Sequence, residues 1–448
     1  MDNTLKGGCG MIVAKFGGSS LADAEQFQKV GAIIHADNER RYVVPSAPGR
    51  QHENDDKVTD LLLSCHENVL SGTSCAALLD RVRSRFLKIA DDLNINSDLL
   101  VKEMDEAQRH IKMGASRAYT ASRGEYLNGL LLSQWLQMPF VDAARVIRFF
   151  RDGRLNHPET NRLIQEIIAP LGSAVVPGFY GADEDGSIHV FSRGGSDVSG
   201  ALLAHGVNAD VYENWTDVSG FRTADPRIVP DAKYIQDMTY RELRELSYMG
   251  ATVLHEDAVF PVRLAGIPTR LRNTNDPLHP GTMIHYSPIR NGVTPIVTGI
   301  AGRKGFSSIL IEKDQMNSEI GFGQRVLRIL EEHGINFEHM PTGIDAMSVI
   351  LTSSSLAPSR EKILAEIDRA VKPDHLSVQD NLAMVATVGS GITKQYATAA
   401  RLFTAIAEQG IGIKTMLMAP SELSILIGVE EKHLNTAITA LYDAFIRT

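Results

Sequence analysis

M-I-V-A-K-F-G-G-S-S, residues 11–20, is the stretch whose reading decides the fold of this 448-residue chain. A mostly apolar run carrying Lys15 near its end closes on Gly17, Gly18, Ser19 and Ser20. An apolar run of this length, bounded by glycine, reads as a buried strand. A helical pattern follows from about Ala22 to Ala36, with Phe27, Val30, Ile33 and Ile34 on one face. Tyr42–Pro45 reads as a second strand ending in S-A-P-G. Helix is predicted from near Lys57, across 75–113 and across 125–137. Short strands are predicted at Pro139–Asp142, Ser173–Pro177, Ile188–Phe191 and Asp210–Trp215. Strands alternating with helices predict an α/β domain with a parallel or mixed open sheet covered on both faces.

The loops after these strands share a character. K-F-G-G-S-S (15–20), P-S-A-P-G (45–49), P-G-F-Y-G (177–181) and S-R-G-G-S-D (192–197) each follow an apolar run. In open α/β sheets ligands bind beyond the carboxyl ends of the strands. Glycine-rich loops there present backbone N–H groups to an anion, helped by helix N-termini. One such loop is no more than a turn. Four in one domain, two of them carrying Lys or Arg, favour a phosphate site. The order G-x-x-x-x-G-K-[ST] is absent, so this is not a Walker A loop.

Lys plus Arg number 45 and Asp plus Glu 54, for a net charge of −9, which speaks against a nucleic-acid partner. With 43% hydrophobic residues, disorder is excluded as the main state. Cys9, Cys65 and Cys75 form no CxxC and make no disulfide framework, as expected of a reducing compartment. The histidines, His35, His52 and His66 among them, show no metal-ligand spacing, and no metal site is expected. No apolar run approaches a membrane span, and residues 1–10 are polar, without the core of a secretory signal. The expectation is a soluble cytoplasmic protein with no membrane partner, preceded by a short tail.

The C-terminal third contains a repeat. R-V-L-R-I-L-E-E-H-G-I-N (325–336) aligns without a gap on R-L-F-T-A-I-A-E-Q-G-I-G (401–412), an offset of 76. Glu332/Glu408, Gly334/Gly410, Ile335/Ile411, Met340/Met416 and Ser348/Ser424 match at that offset. Each unit reads strand, helix, Gly-Ile corner, two strands and helix, a split βαβ, ferredoxin-like order. The map is a large α/β domain over 11–290, a boundary near N-G-V-T-P (291–295), and two α+β modules over 296–380 and 381–448.

Seven motifs in order resemble the aspartokinase family: K-F-G-G-S-S, S-R-G-E (122–125), S-R-G-G-S-D, W-T-D-V-S-G (215–220), T-A-D-P-R (223–227), G-A-T-V-L-H (250–255) and R-N-T-N-D-P (272–277). The resemblance covers essentially Met11 to Thr448. It implies an amino-acid-kinase-type open sheet domain followed by two ferredoxin-like ACT modules. The activity it implies is ATP-dependent phosphorylation of the β-carboxylate of L-aspartate, the first step toward lysine, threonine and methionine. Such a nucleophile is ionised at neutral pH and needs no general base. Bringing it to a triphosphate demands positioning and positive charge.

By this resemblance Lys15 contacts the transferring phosphate, and Gly17, Gly18 and Ser19 let the backbone approach it. The alternative for a lone strand-end lysine is solvent. Asp197 orients Lys15 and its loop, or caps the helix that begins V-S-G-A-L-L-A. Arg193 has the fork suited to a substrate carboxylate, and Gly194, Gly195 and Ser196 line the same loop. Glu125 accepts from the substrate ammonium, or is a first-turn glutamate favoured by the helix dipole. Ser46 and Thr59 match substrate positions, separated here by a long polar stretch with Pro45 and Pro48 stiffening its start. Thr216 and Asp217 match positions near adenosine, and Arg222 and Arg227 sit in the following loop, positioned for phosphates. Where the family usually carries a lysine this chain has Thr252, so only backbone near Thr252 and Val253 carries over. Mg²⁺ arrives with ATP, held largely by phosphates.

The ACT modules imply feedback control by lysine or threonine and a homodimer or higher homo-oligomer. Candidate effector residues are Met316, Asn317, Ser318 and Gly321, with Glu338, Thr342 and Asp345 as partners, against plain turn chemistry. A glutamate or acetylglutamate kinase of the same fold lacks the paired modules. A fused homoserine dehydrogenase is excluded by length. A non-catalytic sensor conflicts with the retention of Lys15, Glu125, Arg193 and Asp197.

Overall fold

Val13, Ala14 and Phe16 of the first strand are fully buried, as expected of a central parallel strand covered on both faces. The computed structural model describes residues 10–192, 194–251, 254, 256–286, 295–392, 395, 397–418 and 421–447. These residues form two compact units. One comprises 10–221, 234–240 and the described part of 253–289, and the other 222–233, the described part of 241–252, and 295–447.

The first unit is built on nine strands: β1 (Ile12–Phe16), β2 (Arg40–Pro45), β3 (Ala174–Val175), β4 (Tyr180–Ala182), β5 (Ile188–Val190), β6 (Val211–Thr216), β7 (Asp237–Thr239), β8 (Thr269–Asn273) and β9 (Thr282–His285). Seven form one sheet in the order β3-β2-β1-β6-β8-β9-β7, and β4 and β5 pair as a separate ribbon. From β1 the chain moves outward through β2 to β3, then crosses back to lay β6 on the other side of β1. The β1/β6 junction is therefore a topological switch point, the place where open α/β sheets bind ligands beyond the carboxyl ends of their strands.

Helices cover the sheet: α1 (Ala24–His35), α2 (Val58–Leu70), α3 (Ala76–Asp92), α4 (Asp98–Lys112), α5 (Arg117–Leu136), α6 (His157–Leu163) and α7 (Gly195–Gly206). Then come α8 (Tyr240–Tyr248), nearly all of it in the second unit, and α9 (Phe260–Ala265). α1 starts where Asp23 accepts from the Gln26 amide at 3.0 Å. The helix predicted across 75–113 is two helices, broken where Asn94 turns left-handed (φ 54°). The helix predicted from 125 begins eight residues earlier, because the Ser116 side chain caps the Tyr119 amide. The strand predicted at 139–142 is reduced to a single bridge between Phe140 and Val175.

The second unit carries β10 (Gly299–Glu312), β11 (Ala346–Thr352), β12 (His375–Val388), β13 (Thr415–Met418) and β14 (Ser424–Glu430), with α10 (Phe322–Glu332), α11 (Ser353–Leu356), α12 (Arg360–Val371), α13 (Thr398–Glu408) and α14 (Leu434–Tyr442). The sheet order is β11-β10-β12-β14-β13, all antiparallel. β10 and β12 are equal in length, lie 76 residues apart, and pair from Gly299↔Val388 to Glu312↔His375. Each bends once at a positive φ, 86° at Gly305 and 55° at Asn381, again 76 apart. The repeat thus extends into two long kinked strands.

Two cores result. Ile309, Ile311, Val349 and Ile363 lie in one, and Ile300, Val385, Ile427 and Leu441 in the other. The second module therefore takes a strand from 299–304, ahead of the first module. The division expected at 380/381 falls inside β12. The boundary expected near 291–295 lies, but for Pro295, outside the described residues, and the second unit also takes in the earlier 222–233 and the described part of 241–252. Ala224, Val229 and Ala232 join the second core. In α8, Glu242 accepts from Thr298 Oγ1 and the Ser390 amide, and Glu245 accepts from Ser421 and Ser424.

Candidate active site

Lys15 sits in register with Asn214 across the β1/β6 junction. Its ammonium lies 2.5 Å from Asp197 Oδ1 and 3.4 Å from Asn214 Oδ1. Asn214 Nδ2 donates to the same Asp197 oxygen at 2.8 Å, and the Tyr212 hydroxyl donates to the Asp197 carbonyl at 3.2 Å. Lys15 is 7% exposed, far from the solvated strand-end alternative. Asp197 is not the helix cap. Gly194 (φ 57°) takes that place, and Asp197 lies in the first turn of α7, where the helix dipole favours its charge.

Two backbone contacts hold the glycine-rich loops together. The Gly49 amide donates to the Gly18 carbonyl at 2.8 Å, and a Cβ on Gly49 would lie 2.6 Å from Gly18 backbone carbon. A Cβ on Gly178 would lie 2.8 Å from Ser196 Cα, so the 177–181 turn packs directly on the S-R-G-G-S-D loop. The polar 50–57 stretch is tied down by a half-buried pair: Arg85 meets Asp55 at 2.6 Å and donates to the Gly49 carbonyl at 3.0 Å. The carbonyl of Ser46 accepts from Asn128 Nδ2 at 2.6 Å.

Glu125 is not a first-turn residue. It lies in the middle of α5, 5% exposed, with Oε2 lacking a hydrogen-bond partner among the described residues. Burial pushes its carboxyl up to about 8, against the opposing pull of the Ala47 amide. A carboxyl held this way is poised to gain from a cation placed beside it. Nearby on α5, the Arg123 guanidinium stacks within 4.4 Å of both the Tyr119 and Tyr126 ring centres.

Lys15 at the end of β1, Gly17 and Gly18 after it, Ser46 after β2, Gly194 at the cap of α7 and Gly195, Ser196 and Asp197 in its first turn therefore belong to segments joined by direct contacts, and Glu125 lies beside Ala47 of the 45–49 loop. Ser19 is exposed and Thr59 half-buried in the first turn of α2. Thr216, whose hydroxyl donates to Asp217 Oδ1 at 3.1 Å, ends β6 beside β1. Arg222 and Arg227, expected near phosphates, belong to the second unit: Arg222 donates to the Ala232 carbonyl, and Arg227 pairs with Asp225. Arg193, Thr252 and Val253 lie outside the described residues. Asn214, Asn128 and the Arg85–Asp55 pair were not anticipated. A Glu-Asn dipeptide inside the otherwise apolar strand V-Y-E-N-W-T was the available signal, since buried polar groups require partners. Glu213 has them in Arg40 (2.7 Å), Arg272 (3.3 Å) and the Trp215 indole (2.9 Å).

Among the effector candidates, Met316 is buried in the first module's core and Gly321 (φ 79°) caps α10. The Asn317 amide donates to the Ile344 carbonyl, and the Asn317 side chain accepts from Ser318. Asp345 Oδ1 accepts from the Gln315 amide at 2.9 Å. Asp345, Lys313, Glu312, Asp314 and Asp374 border a cleft of about 380 Å³. The Thr342 hydroxyl is turned to the Met340 carbonyl. Glu338 is not a free acceptor: Arg303 holds it at 2.9 Å and the Tyr248 hydroxyl donates to it.

Among the described residues, no group of three His, Cys, Asp or Glu is placed to hold a metal ion. No helix among them is long and apolar enough to cross a membrane.

The amino acid kinase family model matches residues 10–273, and an ACT domain model matches 385–445. Aspartokinase 3 of Bacillus subtilis is 38% identical over 97% of this chain and 98% of its own length. The chain belongs to the aspartokinase family. A solved aspartate kinase of Clostridium acetobutylicum superposes with a TM-score of 0.90 at 44% identity, covering 97% of this chain and all of that one. Escherichia coli aspartokinase III, solved with aspartate and ADP, shares the fold at a TM-score of 0.74 and 24% identity, covering 97% of this chain and 99% of that one. The aspartokinase assignment makes this chain a kinase, with an N-terminal amino-acid-kinase region and C-terminal ACT structure.

Proposed function

We propose that this chain transfers the γ-phosphoryl group of ATP to the β-carboxylate of L-aspartate, with Lys15 as the cation at the transferring group. The observation that carries the reading is the Lys15–Asp197–Asn214 cluster at the β1/β6 switch point, beside the joined glycine loops. The carboxylate oxygen attacks phosphorus, the P–O bond to ADP breaks, and no proton needs to move. Lys15 and the loop amides stabilise charge on the transferring oxygens. Arg193 and Ser196 clamp a substrate carboxylate, and Glu125 receives the ammonium. Thr216 and Asp217 flank the nucleotide, with backbone near Thr252 and Val253. Mg²⁺ enters on the ATP phosphates. The reaction is cytoplasmic, and the chain works as a homodimer or larger homo-oligomer.

ADP release coupled to a reporter enzyme tests the substrate. L-Aspartate should support turnover at least about 100-fold better than L-glutamate, because one added methylene misplaces the carboxylate from a fixed phosphate. Equal rates would overturn the choice of acceptor.

The C-terminal unit is proposed to sense lysine or threonine at the Asp345 cleft. Asp345→Asn should weaken inhibition by the effective amino acid about 5- to 20-fold while leaving uninhibited kcat unchanged, within the usual coupling range. Separate lysine and threonine titrations of wild type and variant check this. Unchanged inhibition would move the effector elsewhere.

A further inference from the structure

We infer that Asn214 is a positioning residue for phosphoryl transfer, fixing the direction and the effective charge of the Lys15 ammonium. The inference rests on the kinase reading above and gives Asn214 a role that the reading does not assign.

A lysine ammonium has three N–H donors and no acceptor. Asp197 Oδ1 takes one at 2.5 Å, and Asn214 Oδ1 sits 3.4 Å from the same nitrogen. No third acceptor lies within hydrogen-bond reach among the described residues. Gly17 borders Nζ: a Cβ there would lie 3.8 Å from it. With two donors engaged, the third direction is left for an incoming phosphoryl oxygen.

The orientation of the Asn214 amide follows from its neighbours. Its nitrogen faces a carboxylate and its oxygen faces an ammonium, and the reverse would set donor against donor and acceptor against acceptor. Asn214 is 2% exposed on a central strand, so its side chain has no second place to go. Its donation to Asp197 Oδ1 at 2.8 Å means one carboxylate oxygen serves two donors. That oxygen holds Lys15 less tightly than an unshared one, and more of the positive charge is available to the phosphate. Paired only with Asp197, Lys15 would be nearly neutralised and free to swing toward it. The Tyr212 hydroxyl, on the same side of β6, donates to the Asp197 carbonyl and holds the backbone that carries the carboxylate.

Two near-isosteric variants separate this role from packing. Asn214→Leu removes both hydrogen bonds. Asn214→Asp keeps the acceptor for Lys15, loses the donor to Asp197, and puts two carboxylates on one ammonium. Steady-state kinetics and equilibrium binding of Mg·ATP are measured from pH 6 to 8.5, with thermal unfolding as the folding control. Asn214→Leu should lose about 10- to 100-fold in kcat, the scale of a misplaced reacting group, with KM for aspartate within about twofold. Asn214→Asp should bind Mg·ATP about 10-fold more weakly at pH 8 and recover toward pH 6, because carboxylates sharing a site push one another's proton affinity up. Wild type should lack that recovery. Asn214→Leu with kcat within twofold of wild type overturns the inference. So do parallel losses in both variants with a wild-type pH profile. If wild type releases no ADP with aspartate, the functional reading fails by itself, and the Mg·ATP binding arm still decides the role of Asn214.

Discussion

Lys15→Ala should lower kcat by about 10²- to 10³-fold, with KM for aspartate changed far less, the scale of removing one donor aimed at developing charge. The cause is local. Lys15 is the cation at the end of β1, and its ammonium is held by Asp197 and Asn214 at the switch point. Removing it also leaves Asp197 facing the triphosphate without a counter-charge. Part of the loss is therefore repulsion, and Asp197→Asn in the Lys15→Ala background should restore some Mg·ATP affinity without restoring kcat. A folded Lys15→Ala enzyme with near-normal kcat removes Lys15 from the mechanism.

Glu125→Gln should raise KM for aspartate about 10- to 100-fold, equivalent to a charge-assisted hydrogen bond of about 1.5–3 kcal/mol. Mg·ATP affinity should stay at the wild-type value. A pH signature accompanies it. Without substrate, burial pushes the Glu125 carboxyl up to about 8. A substrate ammonium favours the ionised form, so below that pH binding must expel a proton. Wild-type KM for aspartate should fall as pH rises from 6.5 toward 8.5 and then level off, and Glu125→Gln should lack this fall.

Stability runs the other way. Between the unfolded carboxyl's value near 4.5 and about 8, the folded state holds a proton that the unfolded state has released. Folded stability therefore declines as pH rises through that window, by at most about 1.4 kcal/mol per unit from this group. Glu125→Gln should accordingly be more stable than wild type at pH 8 without ligand, by a larger margin than at pH 5. Thermal unfolding at both values measures it. An equal margin at both would show that Glu125 is ionised in the empty site.

The sequence made the first strand, its glycine loops and the repeat legible for definite reasons. β1 is an apolar run closed by glycines, and the helices at 325 and 401 carry their pattern in one register. What it concealed came from tertiary context. Glu125, following S-R-G, looked like a helix start, but Ser116 caps the helix nine residues upstream, and Gly124 is there because Ala47 packs within 2.9 Å of where its Cβ would be. The second module's borrowed strand was hidden because a linear repeat does not say which half of a long strand joins which core. Asn214 was hidden because its partners lie 199 and 17 residues away. Arg222 and Arg227 carried the right charge for phosphates, yet the 222–233 segment packs through Ala224, Val229 and Ala232 into the other unit.

The central claim is that the Lys15 cluster makes an acyl phosphate on aspartate, and trapping that product is its most direct test. With wild-type protein, Mg·ATP, L-aspartate and hydroxylamine, the β-hydroxamate of aspartate should form in equal amount with ADP, and Lys15→Ala should suppress both together. ADP released without hydroxamate, or hydroxamate formed undiminished by Lys15→Ala, would contradict it.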